Sequence, residues 1–489
     1  MDSAFDLSPL DDHLAAPRGR GRLSDSPHAG SFGGAPCGDE VRIAVRLEDD
    51  RVADAGFDAS GCAAARAAGS AAVELVRGAL LTEAALVSTE TISAALGGLA
   101  SGRIHAAALA ADALHAAIGA AATDGAARLA PSARRTLVAM SGGVDSAVAA
   151  QLALDAGHEV LAVTLKLWDD AATDGTRSCC SPQAVAVARA LAHRMGIPHI
   201  TLDVRDGFRA EVVDDFIAEH AAGRTPNPCV RCNGIVRFDA MLALAESLGA
   251  ARLATGHYAR IAWDQRGPLV RAAVDARKDQ SYMLARLPPD ALRRIWFPLG
   301  EQENKASVRE LARGHELPVA DKPESQDLCF LAGTRAPDFL RRHGGIEDTP
   351  GAIVDEHGRA VGEHAGQHRF TVGQRRGIGV ASTQPLYVVD KDPSLNRVTV
   401  GPKASLAQTE IRLEDVVLYR SAGDVDRVKL RYRSDPVPCD LRPATCDLSL
   451  GEPVAGAAPG QTACLMQDDT VIGCGTIAVP LRREVAHAG

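Results

Sequence analysis

The chain has 489 residues, a formal net charge of −9, 46% hydrophobic residues and 24% charged residues. This length is too great for one hydrophobic core and predicts roughly three domains, while the composition is ordinary for a globular protein. The acidic total argues against a protein that coats nucleic acid regardless of sequence, although a local basic surface can still bind phosphates.

The N-terminus is acidic and lacks the apolar segment of a secretory signal. No run of apolar residues approaches the roughly 20 that span a bilayer. We therefore expect a cytoplasmic protein that contacts no membrane. Eleven cysteines in such a chain indicate metal, redox or sulfur chemistry for some of them and plain burial for the rest.

The first region, 1–125, is expected to be an α+β domain. Residues 1–30 have a flexible composition, 41–59 alternate around an acidic turn as a β-hairpin does, and the Ala-rich stretch 62–120 predicts helices broken at glycines. Residues 126–135 have the composition of a linker.

The second region, 136–335, alternates short apolar strands with amphipathic helices, which predicts a doubly wound parallel sheet with ligands at the carboxyl ends of its strands. The predicted strands are 136–140, 159–168, 199–204 and 252–258, and the predicted helices are 145–157, 184–196, 214–223 and 239–249. Glycine-punctuated strands then predict a small, mostly β central domain over 336–405. They also predict a C-terminal β-barrel, or a sandwich, over 406–489.

The run from Ser141 to Ser146, SGGVDS, lies between a predicted strand and a predicted helix. Its two glycines allow a tight turn with exposed N–H groups, and the helix N-terminus adds donors and partial positive charge, so the turn suits pyrophosphate. Asp145 could help to hold Mg²⁺. The alternative is an ordinary glycine turn, which the strand–turn–helix context disfavours.

This hexapeptide resembles the signature of the N-type ATP pyrophosphatases, which cleave ATP between the α- and β-phosphates and adenylate a carbonyl oxygen. The resemblance implies a mechanism without naming the acceptor, because the superfamily includes amide-forming synthetases as well as tRNA thiolation enzymes.

Two further runs present thiols. Residues 223–233, GRTPNPCVRCN, place Cys229 and Cys232 in what we expect to be an exposed loop stiffened by prolines, and 324–330, ESQDLCF, contain Cys329. Two thiols that can meet suit a sulfur relay by persulfide and disulfide exchange. The alternatives are half of a zinc site for the CxxC pair and a buried small hydrophobe for Cys329.

Together the motifs SGGVDS, GRTPNPxxxCN, ATGHYAR, KDQSYML, ESQDLCF, FTVGQRRGIG, LRYR and PGQTA closely resemble the tRNA-specific 2-thiouridylase family (MnmA), from about 135 to 480. The resemblance implies ATP-dependent 2-thiolation of uridine 34 in tRNAs of the Lys, Glu and Gln type. It also implies a persulfide donor, such as a cysteine desulfurase or a relay protein.

The resemblance also assigns residues to roles. The nucleophile would be Cys232 and the persulfide carrier Cys329. ATP would be held by Ala139, Met140, Ser141, Gly142, Gly143, Val144, Asp145, Ser146, Leu165 and Gly256. Contacts to tRNA would come from Asn227, Pro228, Cys229, His257, Lys278, Asp279, Gln280, Arg431, Tyr432 and Gln461. From the residues alone, His257 could equally pack at a strand end, and the KDQ run could be a solvated turn.

Some family members have Asp at the position of Cys229. In this chain Cys229, Cys232 and Cys329 could instead bind an iron–sulfur cluster through three thiolates, with one iron open to sulfide. The cluster-dependent variant of the same thiolation therefore stays open.

The region 6–120 resembles the IscU/NifU iron–sulfur scaffold, through DDHLAAPRGRGRL at 11–23, APCGDE at 35–40 and SGC at 60–62. The resemblance assigns metal-ligand positions to Cys37, Asp39, Cys62 and His105, whereas Ala106 stands where the family has its third cysteine. A mixed site for Zn²⁺ or a labile iron–sulfur cluster is one expectation. A degenerate docking domain for a sulfur donor is the other.

Two other functions compete with thiolation. An amide-forming synthetase would leave the paired cysteines unexplained, and no glutaminase region is evident. An iron–sulfur carrier with an RNA-binding ATPase half would not release pyrophosphate in response to tRNA.

Overall fold

The computed structural model describes residues 7–33, 38–170, 181–323 and 328–480. The front domain is a three-stranded antiparallel sheet, β1-β2-β3, covered by helices. The predicted hairpin is confirmed as β2 and β3, whereas residues 7–30, whose composition suggested flexibility, contain a helix and the start of a strand. Its elements are α1 (Pro9–Ala15), β1 (Ala29–Gly33), β2 (Glu40–Glu48), β3 (Arg51–Ser60), α2 (Ala63–Val76), α3 (Leu81–Ala84), α4 (Thr89–Ala95) and α5 (Ile104–Thr123).

In the described part of the chain, one helical stretch, Ser101–Thr123, is long and apolar enough by length and composition to cross a membrane, and 61% of the tested window is buried inside the protein. The sequence analysis did not predict this stretch, because most of its apolar residues are alanines. It packs against β1, β2 and α2, so it is the central core helix of the front domain.

The second region is the predicted doubly wound fold, with a parallel sheet in the order β10-β7-β4-β5-β6. The first strand begins at Ser132, inside the segment predicted as linker. The elements are β4 (Ser132–Ala139), α6 (Val144–Asp155), β5 (Glu159–Lys166), α7 (Pro182–Arg194), β6 (His199–Asp203), α8 (Arg205–Phe208), α9 (Asp214–Ala221), α10 (Pro228–Cys232), α11 (Phe238–Ser247), β7 (Ala250–Thr255), β8 (Ala259–Asp264), β9 (Gly267–Ala272), α12 (Pro289–Leu292), β10 (Ile295–Trp296) and α13 (Lys305–Gly314).

The remaining chain is mostly β, as predicted. A four-stranded sheet, β12-β11-β14-β13, forms the central domain, and a C-terminal sheet closes into a barrel through the pairing of β15 with β20. The hairpin β8–β9 of the second region joins this sheet beside β20. The elements are α14 (Ala336–Gly344), β11 (Gly351–Val354), β12 (Ala360–His364), β13 (Tyr387–Asp392), β14 (Arg397–Gly401), β15 (Ala407–Leu418), β16 (Arg427–Lys429), β17 (Val437–Arg442), β18 (Asp447–Ala455), β19 (Thr462–Gln467) and β20 (Thr470–Ile477).

The front domain packs along the outer edge of the parallel sheet, where β6 is the last strand. The N–H of His199 donates to the carbonyl of Ala85 at 3.2 Å, and the N–H of Asp203 donates to the hydroxyl of Thr123 at 3.3 Å. One hydrophobic cluster continues from the front domain into the sheet. The exposed backbone edge of β6 is therefore satisfied by the front domain, and the two domains share a core.

Candidate active site

The predicted phosphate loop connects β4 to α6. Gly142 has φ of +68°, a left-handed conformation that favours glycine. The hydroxyl of Ser146 donates to the carbonyl of Gly143 at 3.0 Å and accepts the N–H of Ser141 at 3.1 Å. The turn is thus closed at the N-terminus of a 12-residue helix, where backbone N–H groups favour an anion. Around it lie the other predicted loop residues, Ala139, Met140, Val144 and Asp145.

The carboxyl end of β7 passes close to this loop. A Cβ at Gly256 would lie 2.8 Å from the carbonyl carbon of Asp145, so a larger residue would push β7 away from α6. β7 and β5 flank β4 on opposite sides, so the strand order reverses here, and ligands of such sheets bind in the resulting crevice. Leu165, predicted to line the adenosine, is buried near the carboxyl end of β5.

Two lysines that the sequence patterns did not indicate lie beside the loop. Lys305, the first residue of α13, forms an ion pair with Asp145, and its side chain is only 13% exposed. The ammonium of Lys322 donates to the carbonyl of Gly142 at 2.8 Å. The hydroxyl of Tyr258 also donates to Asp145, at 2.7 Å. The loop therefore has two cationic side chains in addition to its N–H groups, which strengthens its fit to a polyphosphate.

The CxxC segment is helical, so the prediction of an exposed loop is wrong for Cys229 and Cys232. Asn227 accepts the N–H of Val230 at 3.2 Å as the cap of α10, and Pro228 takes the first helical position. Cys232 is buried and Cys229 is half-buried. Burial at the end of a short helix fixes the orientation of the Cys232 thiol.

The segment with Cys329 and helix α10 both pack on helix α9. Arg231, next to Cys232, forms an ion pair with Asp215 of α9 at 3.4 Å. The ring of Phe330, next to Cys329, lies 5.2 Å from that of Phe216, the following residue of α9. The neighbours of both cysteines thus contact consecutive residues of one helix, which brings the two thiol-bearing segments to adjacent faces of it. Residues 324–327 of the ESQDLCF motif lie outside the described residues.

The C-terminal barrel holds the loop that precedes α10. The side-chain amide of Gln461 donates to the carbonyl of Thr225 at 2.7 Å and to that of Pro226 at 3.3 Å. The N–H of Thr225 donates to the carbonyl of Pro459 at 2.8 Å. Gln461, predicted to touch tRNA, thus positions the GRTPNP loop.

Several predicted tRNA contacts meet beside α10. The side chain of Asn227 lies beside the hydroxyl of Tyr282, and that of Gln280 lies beside the hydroxyl of Tyr432. Burial raises the pKa of Tyr432, with Asp279 and Cys229 also contributing. The structure therefore places Asn227, Cys229, Gln280 and Tyr432 in one neighbourhood.

Asp279, predicted to contact tRNA, makes the polar contacts of its carboxylate inside the protein. It is buried and accepts hydrogen bonds from the N–H groups of Ala273 and Ser281, both at 3.1 Å, and its second oxygen lies 3.2 Å from the ammonium of Lys429. A carboxylate with these partners stabilises the turn and would repel phosphate. Its neighbour Lys278 is half-buried.

His257 lies at the end of β7, hydrogen-bonded to Thr255 at 2.7 Å and packed against the rings of Phe238 and Phe297. Burial, with a contribution from Arg237, lowers its pKa to about 3. A neutral imidazole with these contacts corresponds to the strand-end packing alternative and makes no charged contact to RNA. By contrast, Arg431 is exposed and donates to the carbonyl of Gly456 at 2.6 Å.

In the front domain, Asp39, Cys62 and His105 come together, with their ligand atoms all within 4.8 Å of one another. Asp39 accepts the N–H of Cys62 at 2.7 Å and lies 3.1 Å from the ring nitrogen of His105. Sulfur, oxygen and nitrogen donors at this spacing fit a zinc-type ion. Cys37 lies outside the described residues, and Ala106 is buried.

Four family models match successive parts of the chain. They are the NifU-like N terminal domain at residues 9–123, the tRNA methyl transferase HUP domain at 134–333, the tRNA methyl transferase PRC-barrel domain at 337–402 and the aminomethyltransferase beta-barrel domain at 410–477. The bifunctional protein NifU/MnmA of Rubrobacter xylanophilus is 43% identical over 96% of this chain and 97% of its own length. This chain belongs to the bifunctional NifU/MnmA family.

NifU/MnmA membership confirms both resemblances. Relatives that match only the later part of the chain include the tRNA-specific 2-thiouridylase MnmA of Acidithiobacillus ferrooxidans, 43% identical over 70% of this chain and 98% of its own length. That of Xanthobacter autotrophicus is 45% identical over 71% of this chain and 93% of its own length. The phosphate loop and all three cysteines of the thiolation region lie within the HUP match, and the Asp39–Cys62–His105 group lies within the NifU-like match.

Proposed function

We propose that this chain is an ATP-dependent tRNA 2-thiouridylase whose front domain handles its sulfur or metal supply. The observation that carries the proposal is a phosphate loop and two thiol-bearing segments at the carboxyl side of one parallel sheet, in a chain of the NifU/MnmA family.

ATP would bind at the crevice between β4 and β7. The N–H groups of the Ser141–Ser146 loop, with Lys305 and Lys322, would hold the phosphates, and Leu165 and Gly256 would line the adenosine. Mg²⁺, when bound, would neutralise charge on the phosphates. Asp145 is the carboxylate at the loop that could hold it, in exchange for its contact with Lys305.

The proposed reaction has two stages. The C2 oxygen of uridine 34 attacks the α-phosphorus of ATP, and pyrophosphate leaves from an adenylated base. The terminal sulfur of a persulfide on Cys329 then attacks C2, and AMP departs. The thiolate of Cys232 attacks the inner sulfur of Cys329, which releases 2-thiouridine and leaves a disulfide that an external dithiol reduces.

The proposed tRNA surface combines Lys278 and Arg431 with the neighbourhood of Asn227, Pro228, Cys229, Gln280 and Tyr432. An acidic chain needs such local cations to bind phosphates. The aromatic ring of Tyr432 can stack on an unpaired base. We propose tRNAs of the Lys, Glu and Gln type as substrates, a cysteine desulfurase or a relay protein as donor, and the cytoplasm as the location.

The front domain would hold Zn²⁺ or an iron–sulfur cluster on Asp39, Cys62 and His105, with Cys37 as a fourth ligand. The three described donors fit such a group by type and spacing. Because the front domain lacks the third family cysteine, we propose that it cannot by itself support repeated cluster transfer.

We expect Cys232→Ala and Cys329→Ala each to lower 2-thiouridine formation at least about a hundredfold. The two effects should not add in the double variant, because the two thiols act as one relay. Mass spectrometry of tRNA nucleosides measures the product, and Cys446→Ala in the barrel is the matched control. Near-normal thiolation in either single variant would contradict the relay.

Iron, sulfide and zinc analysis tests the front group. The proteins compared are wild type, Cys62→Ser, Cys229→Ser and Cys329→Ser, all purified anaerobically. Iron and sulfide that are lost from Cys229→Ser and Cys329→Ser but retained in Cys62→Ser would favour the cluster-dependent variant. A wild type that holds no metal would contradict the proposal for the front domain.

A further inference from the structure

The front group and the thiolation site are connected by one helix. His105 is the second residue of α5 and Thr123 is its last. Eighteen residues of α-helix rise about 27 Å. The position of α5 on the sheet therefore decides how far Cys62, which lies beside His105, is from the thiols.

α5 runs in the same direction as β6. The ring of His115 lies 5.2 Å from that of His193, near the end of the helix that leads into β6. One turn later, Gly119 packs on the carbonyl of Thr201, and Thr123 bonds the N–H of Asp203 at the carboxyl end of the strand. Following α5 back to His105 therefore leads past the amino end of β6.

The thiolation segments lie at the opposite end of the strands, beyond the carboxyl ends of β5 and β6. The ring of Phe330, next to Cys329, is 6.0 Å from that of Phe208, which follows the carboxyl end of β6. Phe330 also packs on Phe339, whose ring is 5.8 Å from that of Trp168, beyond the carboxyl end of β5. Cys62 and Cys329 thus lie towards opposite ends of the strands, Cys62 towards the amino ends and Cys329 towards the carboxyl ends.

This separation is fixed by packing. The front domain and the sheet share one hydrophobic cluster, and Arg189 of α7 forms an ion pair with Asp112 of α5. A swing of the front domain that brought Cys62 to Cys329 would have to expose this shared core and the edge of β6.

We propose that Cys62 passes sulfur to Cys329 of a second copy of this chain and not to Cys329 of its own. The transfer is a balanced exchange: the Cys329 thiolate attacks the outer sulfur of a Cys62 persulfide, and the Cys62 thiolate leaves. This inference rests on the proposed thiouridylase function and names the partner of its sulfur supply.

The surface around Cys62 fits such a partner. Cys62 is exposed, and beside the group lie the exposed side chains Glu40, Arg66, Arg103 and Ile104, the last with 38% of its surface exposed. Two arginines against one glutamate give this rim a net positive charge, which favours the approach of a second copy whose formal net charge is −9. Each copy also offers one donor group and one acceptor site.

Dilution of the wild-type enzyme tests the proposal directly. With [³⁵S]cysteine and a cysteine desulfurase held at a fixed concentration, the rate of 2-thiouridine formation per chain should fall about tenfold for a tenfold dilution of the enzyme, because delivery between copies is bimolecular. With excess sulfide it should stay constant. A rate per chain that is independent of dilution with both sources would overturn the proposal.

Mixing two full-length variants gives the second test. Cys62→Ser lacks the donor thiol, and Cys329→Ser lacks the acceptor thiol. Each alone should be nearly inactive with the desulfurase, and an equal mixture should recover about a quarter of the wild-type rate, since half the chains accept and half of their encounters are with donors.

The label provides a readout that does not depend on turnover. A tagged Cys62→Ser chain should carry ³⁵S after mixing with the untagged Cys329→Ser chain, and much less after exposure to the desulfurase alone. A mixture without recovery, or a Cys62→Ser chain as active as the wild type, would overturn delivery between copies. If the wild type makes no 2-thiouridine even with excess sulfide, the proposed function itself fails.

Discussion

At the residue scale, Lys305 is positioned to change partners during the reaction. Its ammonium pairs with Asp145 at the mouth of the phosphate loop and is largely shielded from water. When a polyphosphate binds, the ammonium can neutralise phosphate oxygens, while the carboxylate becomes available to a divalent cation. Electrostatic interactions of this kind act most strongly in sites that exclude water.

Lys305→Met is therefore expected to lower kcat/KM for ATP at least about tenfold, because a phosphate-neutralising cation is lost. The affinity for tRNA should stay unchanged. Pyrophosphate release at varied ATP measures the first quantity, and filter binding of tRNA measures the second. Lys403→Met, at an exposed lysine of the central domain, is the control. Equal kcat/KM values in the two variants would remove Lys305 from the ATP site.

The residues of the phosphate loop could be predicted from the sequence because a strand, two glycines and a helix N-terminus are consecutive in the chain. Lys305 could not, because it lies 160 residues from its partner Asp145 and no local pattern marks it. Asp279 and His257 belong to family motifs, and their polar atoms bond inside the protein, so their contacts to tRNA stay predictions.

At the element scale, the loop before α10 depends on the barrel for its position. Two hydrogen bonds from Gln461 and one to the carbonyl of Pro459 hold Thr225 and Pro226. Each such bond contributes roughly 0.5–1.5 kcal/mol. The orientation of α10, and with it the Cys232 thiol, is therefore coupled to the end of the chain that is most distant in sequence.

Gln461→Ala should speed amide hydrogen exchange over 223–229 and lower thiolation severalfold, because the loop loses two anchors. ATP binding should not change, since the phosphate loop makes none of these contacts. Exchange mass spectrometry and nucleoside analysis measure the two effects. Gln467→Ala, at an exposed glutamine at the far end of β19, the strand that begins directly after Gln461, is the control. Unchanged exchange over the loop would show that the other contacts suffice.

Helix α10 was missed although its start has a recognisable signal. Asn227 followed by Pro228 is a helix cap with proline in the first helical position, but the neighbouring proline and glycine favoured a loop. The longer helices α6, α7 and α11 could be predicted within a few residues because their apolar faces recur over several turns.

At the scale of the whole molecule, the order of domains follows from changes in sequence pattern, but their contacts do not. The hairpin β8–β9 belongs to the second region in the chain and to the barrel sheet in space. The front domain covers the open edge of β6, whose backbone N–H groups donate to the carbonyl of Ala85 and to the hydroxyl of Thr123. Such contacts depend on shape and on unsatisfied strand edges, which carry no signature in a single sequence.

The contact between the front domain and the sheet contains buried histidines and should respond to acid. Burial, with a contribution from Arg189, lowers the pKa of His115 and of His199 well below the ordinary value. Among the described residues, the Nδ1 atoms of both rings have no hydrogen-bond partner. His193 beside them is also shifted downward, chiefly by burial, and Glu90 opposes that shift. All three rings are therefore held neutral in the fold.

When the contact opens, these rings return to a pKa of about 6.5, so below that pH the open state binds more protons than the packed state. The stability of the contact should be fully present above about pH 6.5 and decrease progressively as the pH falls below it. Hydrogen exchange of α5 and β6 at pH 7.5 and 5.5, both about one unit from that value, measures this. His115→Gln should reduce the pH dependence, whereas His357→Gln, at an exposed site, should leave it intact. Equal acid sensitivity in both variants would assign the effect to other groups.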